Sequence, residues 1–148
     1  MASHKSAEQQ INPNWSVFAP AFVAILQAAE KEGVNQQRLL RDAGLQRDQL
    51  TILDRRFPVA SYFKLYQLAA EASENPDIGL SVGRIMYIKG LNLQLYTCSL
   101  CKSFRDYLNL IPSTLKMRGD IGEMTAHRAG NLVELRWEPL LQNSGLKR

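Results

Sequence analysis

Three arginines, two cysteines, one histidine in a strand-like tail and a set of tyrosines are the residues whose types and spacing could do chemistry. Arg38, Arg41 and Arg47 lie in RLLRDAGLQRDQL, two short helical patterns on either side of Gly44. Positive charge on such a corner is the chemistry of DNA binding, where a braced second helix sets several side chains against base edges. The pattern after Gly44 lasts about one turn before Thr51-Ile52-Leu53 breaks it. One turn cannot place three or four side chains against bases. The corner therefore reads as a solvated Arg/Asp rim, and a small basic DNA-binding protein using Arg38, Arg41 and Arg47 is the alternative.

Cys98 and Cys101 have the C-x-x-C spacing of a redox pair or half a zinc site. Zinc needs two more ligands, and the histidines are His4, in a polar N-terminal stretch, and His127, isolated in the tail. No βαβ pattern of the thioredoxin kind surrounds the pair. Both thiols read as small fillers on one helix face, and neither a metal nor a cofactor is expected. No G-x-S-x-G, phosphate-cradling glycine loop or H-E-x-x-H is present. Asp42 and Asp48 flank arginines and read as solvated. No catalytic residue is assigned, and the chain is read as a non-enzyme. Tyr62, Tyr66 and Tyr96 combine apolar bodies with polar tips, which suits a core and equally the lining of a small-molecule pocket.

These residues need a scaffold, and the chain is long enough to bury one core. Apolar residues make up 45% and charged residues 22%, ordinary for a soluble domain. The net charge of +4 is mild, with no block of like charge to mark a nucleic-acid footprint. No apolar run is long enough to cross a bilayer, and the polar start lacks a signal-peptide core. The expected location is the cytoplasm, with no membrane partner.

Hydrophobic spacing and cap residues predict the elements. Ser16 is expected to cap a first helix with Pro20 in its first turns, a stripe of Phe18, Phe22, Ile25 and Ala29, and an end at Gly33. Asn35 caps QQRLLRDA, which Gly44 stops; RRFPVA is extended, because Pro58 holds Phe57 out of helical angles. ASYFKLYQLAAEASE follows, with Tyr62, Leu65, Tyr66, Ala69 and Ala72 as its inner face. Asn75-Pro76 starts another helix, in which Gly79 and Gly83 leave one side bare. A separate helix, GLNLQLYTCSL, is entered through Gly90. Ser103 and Asp106 mark a last helix that Pro112 should kink or shorten. The tail EMTAHRAGNLVELRWEP alternates and reads as a β-hairpin about Gly130-Asn131. The fold class is α+β, mainly helical, with five to six helices followed by a C-terminal β-hairpin. A flexible arm is expected over 1–14 and a polar tail over 140–148.

Several of these pieces, in this order, resemble the N-terminal regulatory domain of AraC-type transcriptional regulators, in the arabinose-binding-domain-like branch. The carriers are Ala43-Gly44-Leu45 after a short helix, Arg56 and Pro58 before a Tyr-bearing helix, and Asn75-Pro76-Asp77-Ile78-Gly79-Leu80 with Gly83. Ser103-Phe104 with Asp106, Tyr107 and Leu108 adds a helix start of T-L-x-E-A-L type. The resemblance runs from Val17 to Pro139. It implies a regulatory, ligand-sensing domain over 15–139, incomplete at its C-terminal side, with the family's helix-turn-helix DNA-binding domain absent. It implies an unknown small-molecule effector, a homodimer, and DNA contact only through that further domain. No binding residue transfers from the family; Arg56, Tyr62, Tyr66 and Tyr96 are the candidates for ligand contact.

Overall fold

The computed structural model describes residues 12–139, and over 87–95 the helical path alone. The arm expected over 1–14 and the tail over 140–148 lie, except for 12–14, outside the described residues. Among these residues the architecture is α+β and mainly helical, ending in a β-hairpin, as the sequence implies.

Two short strands open the two central helices. β1 (Ser16–Phe18) pairs antiparallel with β2 (Arg56–Pro58), Val17 opposite Phe57. β1 leads into α1 (Ala19–Lys31) and β2 into α3 (Val59–Ala72). The first N–H groups of a helix lack partners within it. Here the Ala19 N–H donates to the Arg55 carbonyl and the Val59 N–H to the Trp15 carbonyl, both at 2.9 Å. The residue before each strand thus caps the helix that follows the other. Ser16 is therefore not the helix cap its type suggests. It sits in β1, because its partner Pro58 lies far along the chain where no local rule finds it, and Phe18 occupies the cap position. Pro20 does fall in the first turn.

The core forms where α1 meets α3 and α4. Phe22, Ile25, Val59, Leu65 and Ile78 are fully buried. Phe22 is central: its ring lies 5.1 Å from Phe57 and 5.5 Å, edge-on, from Tyr62. Such tilted pairs suit the ring quadrupoles and add to the apolar burial. α3 turns Val59, Tyr62, Leu65 and Ala69 inward, while Ala72, expected there too, is exposed at the helix end.

α2 (Gln36–Ala43) follows its local signals. The Asn35 side chain accepts from the Arg38 N–H at 3.1 Å, and Gly44 closes the helix in the left-handed region that favours glycine. Leu39, Leu40 and Ala43 are buried. A four-residue 3-10 turn, Asp48–Thr51, comes next.

α4 (Ile78–Leu100) is one helix of 23 residues where two were expected. One interior glycine costs about 1 kcal/mol and does not by itself interrupt a helix; Gly90 lies within it. α4 also begins two residues later than Pro76. The Asn75 side chain accepts from the Asp77 N–H, so a local turn precedes the helix. α5 (Phe104–Arg118) is capped by Ser103, whose hydroxyl accepts from the Asp106 N–H at 3.2 Å. It passes through Pro112 without stopping, and no residue of it is fully buried; the N–H that Pro112 lacks costs the helix one bond without ending it.

β3 (Gly122–Ala129) and β4 (Leu132–Pro139) form the expected hairpin about Gly130-Asn131, with β3 against α5. Met124 faces Trp137 and Ala126 faces Leu135, which gives the ribbon one apolar face. The link from α5 to β3 is stitched to β1. Val17 bridges to Gly119, and the Asp120 N–H donates to the Ser16 carbonyl at 2.9 Å. A Cβ on Gly119 would stand 3.2 Å from the Val17 Cα, so this approach is open to glycine alone without a shift.

Candidate functional site

The extended segment RRFP alternates sides: Phe57 goes into the core and Arg56 faces out. Across β1 the guanidinium of Arg56 finds a set of oxygens. Its Nε donates to the Ser16 hydroxyl at 2.7 Å, and its two terminal nitrogens donate to the Met117 and Ser16 carbonyls, each at 3.2 Å. The Asp120 carboxylate stands 3.8 Å away and itself accepts from the Ser16 N–H at 2.9 Å. The Phe18 ring lies under the cation at 4.4 Å. One planar fork thus ties together β1, the end of α5 and the start of the hairpin, a task to which Arg is better shaped than Lys.

Beside this clamp a cleft of about 320 Å³ opens between α5, β3 and Trp15. Its lining is mixed: Trp15, Pro112 and Met124 offer apolar surface; Ser113 and Thr125 offer hydroxyls; Lys116, Asp120 and Glu123 offer charge. The volume is at the small end of ligand pockets, and a few polar groups set in apolar walls are their usual chemistry. Asp120 belongs to both features. One carboxylate lines the cleft and holds Ser16 and Arg56.

The residues singled out from sequence are not brought together. Tyr62 and Tyr66 are neighbours on α3, ring centres 5.9 Å apart. Tyr62 is a core residue whose burial, with the adjacent Tyr66, pushes its hydroxyl up to about 12. Partial burial raises Tyr66 as well. Tyr96 stands 63% exposed on α4. None of these four, Arg56 included, lines the cleft. Arg56 reaches it only through Asp120. Trp15, Lys116 and Asp120 carried no signal in sequence, because a cleft assembled from segments a hundred residues apart has no local pattern.

Arg38, Arg41 and Arg47 lie on the exposed side of the α2 corner. Arg38 is 3.8 Å from Asp42, and Arg47 donates to the Gln36 side chain. The element after Gly44 is the 3-10 turn Asp48–Thr51, too short to act as a recognition helix. Cys98 and Cys101 are free thiols at the end of α4. The Cys101 thiol donates to the Thr97 carbonyl at 3.1 Å, and burial with the nearby Asp106 carboxylate raises its pKa. Among the described residues, no three His, Cys, Asp or Glu side chains converge as a metal site, and no helix is long and apolar enough to cross a membrane.

Comparison with known families matches residues 33–146 to the arabinose-binding domain of AraC transcription regulators, N-terminal. Comparisons with curated proteins and with solved structures return no match. The match covers α2 to the hairpin, most of what the resemblance in sequence spans. That family is a regulatory ligand-binding domain of transcription regulators. The chain belongs to the family of N-terminal arabinose-binding domains of AraC transcription regulators.

Proposed function

We propose that this chain senses a small polar molecule in the cleft between α5, β3 and Trp15, and that occupancy changes how the hairpin is held against the helices. The observation that carries this is the double role of Asp120, which lines the cleft and secures Ser16 and Arg56. A ligand hydroxyl or amino group at Asp120 competes with, or reinforces, the bonds that fasten β1 to the hairpin. Such a ligand prefers one of two arrangements and shifts their populations in proportion to its differential affinity. The lining suits a sugar-sized or amino-acid-sized molecule, with an apolar face against Trp15 and a hydroxyl or anionic group toward Lys116. The chain acts as a homodimer in the cytoplasm. Its state reaches DNA through a helix-turn-helix domain outside these 148 residues.

The two tryptophans allow a direct test. Trp137→Phe leaves Trp15, in the cleft wall, as the one indole. Titration of this variant with L-arabinose, and then with free amino acids, is followed by fluorescence. A saturable change that Asp120→Asn or Lys116→Ala weakens supports the reading. A flat response to every probe overturns the assignment of the cleft.

A further inference from the structure

We propose that Cys98 and Cys101 are a reversible dithiol–disulfide pair, and that closing the disulfide resets the corner at which α5 leaves α4. Cys98 lies in the last turn of α4, and Cys101 is the residue just past its end. Helical rise and rotation set Cα atoms at this spacing about 5 Å apart, inside the span that a disulfide bridges. Side chains so spaced share one face of the helix. The Cys101 N–H donates to the Cys98 carbonyl at 3.1 Å and holds the two residues in that turn. Cys101 itself has left helical angles (φ −83°, ψ 136°), so its side chain can swing toward Cys98 without unwinding α4. Cys98 is exposed and Cys101 half-buried, so the pair is not core filling. Among the described residues no three His, Cys, Asp or Glu side chains gather to hold a metal ion, which leaves each sulfur the other as its partner.

The two thiols are unequal, and each suits one step. Cys98, the open one, attacks first. Its thiolate displaces one half of a small disulfide: a bond forms between the Cys98 Sγ and one sulfur of that molecule, and the other sulfur leaves as a thiolate. Cys101 then gives its proton to solvent, its sulfur bonds to the Cys98 Sγ, and the second thiolate departs. The pair has lost two electrons and two protons, and the small disulfide has become two thiols. Burial, then the Asp106 carboxylate and Cys98, hold the Cys101 pKa above the ordinary thiol value. Cys101 therefore reacts poorly with a free oxidant and well with a sulfur held beside it. Both thiols also hold the corner. Cys98 shares a hydrogen bond with the Tyr107 hydroxyl on α5, and Cys101 donates to the Thr97 carbonyl of α4 at 3.1 Å. A disulfide has no S–H to give. On closure the Thr97 carbonyl loses this donor, and the Cys98 sulfur turns from Tyr107 toward Cys101. α5 starts soon after, at Phe104, so its first turn takes up the change. An exposed disulfide of this kind is labile and is made and broken by small thiols. The pair stands independently of the sensing cleft.

Intact-mass spectrometry of the whole chain treated with oxidised glutathione tests the chemistry. The unaltered chain should end two hydrogens lighter with no glutathione attached, and dithiothreitol should reverse this. Cys101→Ser should keep one glutathione, on Cys98. Cys98→Ser should react roughly tenfold or more slowly. An unchanged mass, a stable adduct on the unaltered chain, or a disulfide between two copies overturns the pair. Amide hydrogen exchange on the reduced and oxidised chains tests the switch. The Asp106 and Tyr107 amides, both bonded to Ser103 in the reduced chain, should exchange roughly threefold or more faster after oxidation, with α1 to α3 unchanged. The same exchange in both forms overturns the switch.

Discussion

The guanidinium of Arg56 and the carboxylate of Asp120 face each other at 3.8 Å with Ser16 between them, bonded to both. At that separation, and with both side chains partly exposed, the ion pair itself contributes little. The stabilisation lies in the hydrogen bonds to Ser16 and Met117 and in the stacking on Phe18. Arg56→Ala should lower stability by about 1–2 kcal/mol. Arg56→Lys should recover less than half of that, since an ammonium cannot span the fork. Urea denaturation gives the stability. Amide hydrogen exchange should show the added opening in the hairpin and β1 rather than in α2.

The glycines of α4 separate packing from propensity. Nothing lies within 4 Å of a Cβ placed on Gly83, so Gly83→Ala should stabilise by the helix preference of about 1 kcal/mol. A Cβ on Gly79 would stand 2.5 Å from the Tyr66 hydroxyl and 3.5 Å from its ring. Gly79→Ala alone should therefore gain little or lose stability. In a Tyr66→Phe background it should gain close to the Gly83→Ala value. A thermal-melt double-mutant cycle reads the coupling, and simple additivity would contradict the contact.

Stability should fall in alkali. The Tyr62 hydroxyl is raised in the folded chain to about 12 from an ordinary 10.0, mainly by burial. Between those values the unfolded chain releases this proton and the folded chain keeps it, so unfolding becomes more favourable as pH rises. The contribution is complete below pH 10 and is lost through pH 12. The loss is of the order of 2–3 kcal/mol. Tyr66 is shifted the same way and adds to it. Tyr62→Phe should flatten most of this slope in urea titrations at successive pH values.

The α2 corner should not bind DNA. Fluorescence anisotropy of a labelled duplex with the whole chain should stay flat between about 50 and 200 mM salt, where a protein contacting many phosphates loses orders of magnitude in affinity. Steep salt dependence that disappears in an Arg38→Ala, Arg41→Ala, Arg47→Ala variant would instead favour the DNA-binding alternative.

What sequence reveals here follows the range of the interactions involved. Asn35 and Gly44 bound α2, and Ser103 starts α5, because cap chemistry acts within three or four residues. The hairpin is legible from its alternation and its Gly-Asn turn for the same reason. Ser16 misleads because the same hydroxyl that caps a helix elsewhere serves β1 and the Arg56 Nε here. Pro112 and Gly90 mislead because each is a cost that a helix can absorb. Arg56 is visible as an unusual residue, but its partners Met117 and Asp120 are not, since only the folded chain brings them to it. The cleft is lost to sequence for the same reason, and the tyrosines proposed for it lie in the core or on α4.

The bond from the Ser16 N–H to Asp120 spans 104 residues. That separation makes it among the last contacts to repay its loop-closure entropy as the chain folds. The helical corner of α1, α2 and α3 is nearer in sequence and can assemble before β1 is stitched to the hairpin. Weakening the Ser16 stitch should then leave the folding rate nearly unchanged and speed unfolding. The native chain would open first as a seam, shedding the hairpin from an intact helical body.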